Sequence, residues 1–207
     1  MGRKSIAEQR RSEIIAAFYR CVVQDGFAKA SVRKIAAEAG LLPSAIHHYF
    51  KGRDEMVEEL VIHFTDRIFR ALEKKLAALN DPANRLSAGI EFIFSKDMIN
   101  EEYSGFFLEC CAESRHNPRV RQTLAGLFQR FRRAIVVHLN ESPEFAGLPP
   151  EKQQILAAMI VALHEGVELQ WFAEPASVDL TAVFAATRTW IGLLTTELAG
   201  KDREGKK

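Results

Sequence analysis

The chain has 207 residues, 47% of them hydrophobic, which is enough apolar material for one large domain or two small ones. Its overall charge is nearly balanced, yet residues 1–53 carry 10 basic and 4 acidic side chains, net +6, and the remainder is net −5, so one end is suited to meet a polyanion. The charged start "MGRKSIAEQRR" and the apolar run from Ile155 that stops at His164 and Glu165 argue against a signal peptide or membrane span, and Cys21, Cys110 and Cys111 lack a disulfide spacing. The expected compartment is the cytoplasm, with the thiols reduced.

Helical periodicity runs through the chain and no strand pattern interrupts it. Ile14, Phe18 and Val22 recur every fourth residue, and Gly26 stops that helix. Ser31 suits the N-cap of a short second helix whose inward positions are Val32, Ile35, Ala36 and Ala39, with Gly40 at its end. Pro43 suits the first turn of a third helix with Ile46 and Phe50 inward and Ser44, His47 and His48 outward. Two short helices joined by a turn of three or four residues containing Gly make a helix-turn-helix, in which the first braces the second for entry into the major groove. His47, His48, Tyr49, Lys51 and Arg53 are donors suited to phosphates or bases.

From Asp54 a long helix follows, with Met56, Leu60, Phe64, Ile68 and Leu72 as its apolar stripe and "NDPAN" as its stop. Further helices are expected over Leu86–Ile99, Glu102–Arg115, Pro118–Asn140, Pro149–Phe172 and Asp179–Leu198. The expected fold class is all-α. Residues 1–53 form a three-helix helix-turn-helix domain, residues 54–200 a helical bundle, and residues 201–207 a disordered tail.

The segment "GFAKASVRKIAAEAGLLPSAIHHYFKGRDEMVEEL" resembles the DNA-binding region of the TetR/AcrR family of bacterial transcriptional regulators. Gly26-Phe27, Ser31, Ile35-Ala36, Ala39-Gly40, Tyr49-Phe50 and Arg53-Asp54 carry the likeness. The later "LPPEKQQILAAMIVALHEGVELQWF" resembles the BetI-like class of C-terminal regulatory domains of that family. There are two departures: Leu42 stands where the family commonly has a capping Ser or Thr, and His47 where Tyr is usual. The resemblance implies a homodimeric repressor released from its pseudopalindromic operator by a small-molecule effector. It makes Arg33 a base or phosphate contact, Pro43, Ser44, Ala45 and His47 the groove-facing set, and Tyr49, Lys51 and Arg53 backbone contacts, with Ser31 and His48 beside them. Arg3, Lys4, Arg10 and Arg11 extend it as a basic arm. The last two helices then form the dimer seam, with Ala157, Val161, Thr187, Trp190, Ile191, Leu194 and Thr195 as candidates. Whether binding represses or activates stays open at this level.

The body is rich in aromatic side chains, most of them expected in the core. Phe106, Glu109, Cys110, Glu113, Phe128, Phe131, His164, Glu168 and Trp171 are the candidate effector contacts, for an apolar, aromatic or acyl compound. A small cation is the alternative, because Trp171 offers a π-face and the glutamates offer charge. No cofactor is implied. His47-His48 lack a further ligand at metal-binding spacing, so no metal site is expected, and there is no phosphate loop or nucleophile motif to suggest an enzyme. The rival class is a helical adaptor that binds proteins and reads no DNA.

Overall fold

Side-chain caps start five of the described helices. In the computed structural model, residues 6–143, 145 and 147–204 are described, with side chains through residue 193. Among them are nine helices and no strand: α1 Ile6–Asp25, α2 Val32–Glu38, α3 Pro43–Tyr49, α4 Arg53–Leu76, α5 Pro82–Ile93, α6 Glu101–Glu113, α7 Pro118–Glu141, α8 Pro150–Ala173 and α9 Leu180–Glu204. The all-α expectation holds.

The Ser31 hydroxyl caps α2 by accepting from the Lys34 N–H at 3.2 Å. At the other end Gly40, with φ +67°, closes a Schellman turn: Leu41 N–H donates to the Ala36 carbonyl at 2.8 Å and Gly40 N–H to Ala37 at 3.1 Å. α3 begins on Pro43 with no side-chain cap from Leu42, as its sequence requires. Asn100, Asn117 and Asp179 each accept from N–H groups in the first turn of α6, α7 and α9.

Two expected boundaries differ. The fifth helix was placed at Leu86–Ile99 but spans Pro82–Ile93, because Asp81 accepts from Asn84 N–H and Pro82 occupies the first turn; "NDPAN" thus starts α5, whereas α4 already ends at Leu76. The last helix continues to Glu204, past Lys201 where a disordered tail was expected; residues 205–207 lie outside the described region.

The chain divides into two compact units, and the division departs from the expected break after Arg53. One unit takes in the chain up to Arg67 together with Gly105–Gly126; the other takes in Ile68–Ser104 and the chain from Leu127. Three short helices alone bury too little apolar surface to hold a core. The first unit therefore draws on α4 and α6: the Phe106 ring lies 4.6 Å from Phe64, 4.9 Å from Tyr19 and 6.0 Å from Phe27. Phe18, Phe50, Val57 and Leu60 complete that core. In the second unit Phe69 packs on Phe131 at 4.9 Å, within a core that includes Leu72, Ile90, Phe94, Leu139, Leu156, Ile160 and Ile191.

Candidate functional site

The exposed face of the helix-turn-helix is built by α2, the Gly40 turn and α3. Only Ile46 of α3 is buried, with Phe50 just after it, so the helix is held by one face. Pro43, Ser44, His47 and His48 are exposed on the other, as are Ser31, Arg33 and Lys51 around them; Ala45, Tyr49 and Arg53 are half-buried. The small side chains at the start of α3 allow the backbone to approach base edges, and the imidazoles follow one turn later.

Two arginines do something other than what the sequence suggested. Arg53, expected to contact a phosphate, instead donates to the Ala30 carbonyl at 2.6 Å and to the Phe27 carbonyl, with its guanidinium 5.7 Å from the Phe18 ring. These carbonyls lie in the α1–α2 connection, outside any helix ladder, and need a donor. Arg11, expected in a flexible arm, donates to the Tyr49 carbonyl, to Glu55 at 2.9 Å and to Glu59 at 2.7 Å, and lies 4.3 Å over the Phe50 ring. Burial alone would lower its pKa; the two carboxylates reverse that and raise it. Arg10 pairs with Glu13 at 2.7 Å on the surface, and Arg3 and Lys4 lie outside the described residues.

Glu109 is also reassigned. Its carboxylate accepts from the Phe27 N–H at 3.0 Å, and a Cβ on Gly26, where φ is +77°, would lie 3.0 Å from both of its oxygens. Only glycine combines that φ with so close an approach. Phe106 and Cys110 are buried in the same unit, whereas Phe131, His164, Glu168 and Trp171 belong to the other. Glu113 and Phe128 are half-buried and line neither of the cavities that hold other members of the set.

In the second unit Phe131 and His164 line an apolar cavity of about 30 Å³, with Leu72, Ile90, His138 and Val161. Trp171 lines a separate cleft of about 510 Å³ with Phe94, Asp179 and Phe184. Glu168 is buried beside His164 and accepts from the Ser104 hydroxyl at 2.7 Å. The proposed seam residues are covered as well: Ala157, Val161, Thr187 and Ile191 are buried within the chain and Trp190 is half-buried, while the side chains of Leu194 and Thr195 lie outside the described residues. The open faces are different ones. Ile155, Met159, Leu169 and Phe172 on α8, and Leu193 on α9, are 39–64% exposed. α8 is apolar on all sides, so periodicity could not tell the inner face from the outer.

Burial lowers the His164 pKa to about 4, a drop limited by the Ile93 carbonyl, and burial reinforced by the Glu168 charge raises Glu165 to about 8. Burial also raises Glu168, opposed by the Ser104 hydrogen bond. Between the usual carboxylate value and about 8, the folded chain holds a proton on Glu165 that the unfolded chain releases, so stability falls as pH rises. His164 acts in the opposite direction, but only between about 4 and its usual 6.5. In buffer with EDTA, Tm is therefore expected to fall from about pH 6.5 to 8, and Glu165→Gln to flatten that slope; calorimetry across this range is the check.

Residues 14–60 match the family described as bacterial regulatory proteins, tetR family, and residues 82–196, more than half of the chain, match the BetI-type transcriptional repressor C-terminal family. The HTH-type transcriptional regulator BetI of Yersinia pestis is 30% identical over 164 residues, 78% of this chain and 80% of that protein. Its namesake from Burkholderia cenocepacia is 24% identical over 196 residues, 94% of this chain and 98% of that protein. A proposed transcriptional regulator from Pseudomonas aeruginosa PAO1 has the same fold, with TM-score 0.81, 26% identity and 93% of each chain covered. These regulators are not enzymes, and the adaptor reading has no support among them. With a helix-turn-helix whose reading face is exposed and likeness along nearly its whole length, the chain belongs to the tetR family of bacterial transcriptional regulators and carries a BetI-type C-terminal domain.

Proposed function

We propose that the protein is a homodimeric cytoplasmic repressor that binds a pseudopalindromic operator through residues 1–53 and is released by a small molecule bound in the region from Asp54 to residue 200. The observation that carries the DNA reading is the uncovered outer face of α3, held from behind by Ile46, Phe50 and the Arg11 contacts. Arg33, Ser44 and His47 contact base edges, with Ser31, Pro43, Ala45 and His48 shaping the approach, and Tyr49 and Lys51 contact the backbone. Arg53 works indirectly, by fixing the turn that precedes α2.

Dimerisation is needed because a single head covers only a short half-site, and two heads lie one helical turn apart, about 34–36 Å, on a two-fold site. Ile155, Met159 and Leu169 fall on one stripe of α8 together with the exposed Ala158 and Ala162; Ala182, Ala185, Ala186, Thr189 and Leu193 form another on α9. Small and large apolar residues alternate along both, as close helix packing favours. α8 is also long and apolar enough to cross a membrane by composition, but the helix–helix seam accounts for the same surface.

The effector reading rests on the cavity between α4, α5, α7 and α8. At about 30 Å³ it holds little more than a water-sized volume, so an apolar ligand must push its walls apart, and that differential fit is what shifts the DNA-binding equilibrium. α4 carries Arg53 at its start and Leu72 on the cavity wall, and is the covalent route for the change.

Three outcomes follow. In binding over an operator-variant library at two salt concentrations, Arg33→Ala and His47→Ala should relax preference at particular positions, and Lys51→Ala should weaken all sequences and reduce the salt slope by about 1. Arg53→Ala should lower thermal stability without that reduction in slope. Intact binding in the first three variants would refute the assignment. In light scattering, the double variant Ile155→Asp/Leu169→Asp should be monomeric, with operator affinity reduced at least about tenfold. Gly89→Ala, whose added methyl meets nothing within 4 Å and fills part of the cavity, should raise stability by about 0.5–1 kcal/mol and blunt release by an effector found in a thermal-shift screen.

A further inference from the structure

His164, Glu165 and Glu168 each place one donor atom within 4.8 Å of the others, on consecutive turns of α8. His164 is 3% exposed, its Nδ1 makes no hydrogen bond, and its Nε2 faces Glu168 Oε2 at 3.8 Å, which is too long for a hydrogen bond between them. Two donors on one ion at about 2.0–2.2 Å stand about 3.4 Å apart at a tetrahedral angle and about 4.2 Å apart when opposite, so the 3.8 Å gap matches a shared ion. The Ser104 hydroxyl donates to Glu168 Oε1 at 2.7 Å, which fixes the carboxylate and leaves Oε2 turned to the imidazole. Among the described residues no lysine or arginine acts on either carboxylate: burial and Glu168 act on Glu165, and burial and Ser104 on Glu168. Glu168 is buried and Glu165 half-buried, and a cation beside them would favour their deprotonated forms.

We propose that His164, Glu165 and Glu168 bind one divalent transition-metal ion. One imidazole and two carboxylates with no thiol suit zinc, manganese or iron(II) rather than copper(I), and six to eight oxygen donors for calcium are absent from the set. Adjacent helical residues diverge by about 100°, so His164 and Glu168, four apart, form the base of the site, and the longer reach of Glu165 closes it. Three protein ligands leave a coordination position for water or an exogenous donor. Among the described residues the His47-His48 pair has no such third partner, whereas the "HEGVE" stretch carries the i, i+4 spacing that marks the site.

The test uses the full-length chain, stripped with a chelator and desalted, and titrated with zinc and manganese in competition with a chromophoric chelator. One zinc per chain is expected, and cobalt(II) should give the visible absorption of a low-coordinate N,O site. His164→Ala and Glu168→Gln should each weaken zinc binding at least about tenfold. His138→Ala, on the same cavity wall but outside the donor set, should leave it unchanged. Glu168→Gln keeps the side-chain shape and a partner for Ser104, so it decides the matter if His164→Ala does not fold. Absence of a stoichiometric ion, or binding unchanged in both variants, overturns the proposal. Operator affinity measured in parallel on the metal-free chain separates this result from the DNA-binding reading.

Discussion

The orientation of α3 depends on one guanidinium. Arg11 lies over the Phe50 ring, donates to the Tyr49 carbonyl at the end of α3, and is held by Glu55 and Glu59 of α4. A seven-residue helix with a single buried side chain cannot fix its own angle through packing. An arginine with five donors in a rigid fork can join three helices at one point. Arg53 and Glu109 do comparable work on the α1–α2 connection: one satisfies its carbonyls, the other its Phe27 N–H. The outer surface of the head stays available because these charges are spent inside it.

α8 poses the opposite problem, with too much apolar surface for one neighbour. Its inner face carries Leu156, Ala157, Ile160 and His164, and its outer face carries Ile155, Met159 and Leu169. A helix apolar on all sides is stable in water only when both faces are covered, and the proposed dimer would cover the outer one. Glu165 and Glu168 interrupt that helix with charge where apolar residues would pack more easily. Such groups are costly to bury, and the proposed ion would offset that cost.

The caps, stops and family motifs of the first sixty residues were legible because they are local: Ser31, Gly40 and Pro43 act on backbone groups within a few residues of themselves. The start of α5 was missed for a local reason too, since Asp81-Pro82 reads equally as a stop and as a cap. The distribution of the effector set over two units was not legible for a different reason. Phe106, Cys110 and His164 share composition and helical context, and nothing in their spacing says that the first two pack in one unit and the third lines a cavity in the other.

The sequence by itself determined the helical class, the helix-turn-helix with its exposed face, and the family, because periodicity, caps and turn glycines are properties of neighbouring residues. Tertiary structure decided that Arg53 holds the fold while Arg33 stays exposed, since Arg53 reaches the Ala30 and Phe27 carbonyls. It also decided which side of α8 faces inward, and that His164 meets Glu168 and Ser104 in one buried cluster. Those outcomes depend on residues 23 to 64 positions apart along the chain, and side-chain chemistry specifies such pairings only once packing has brought the helices together.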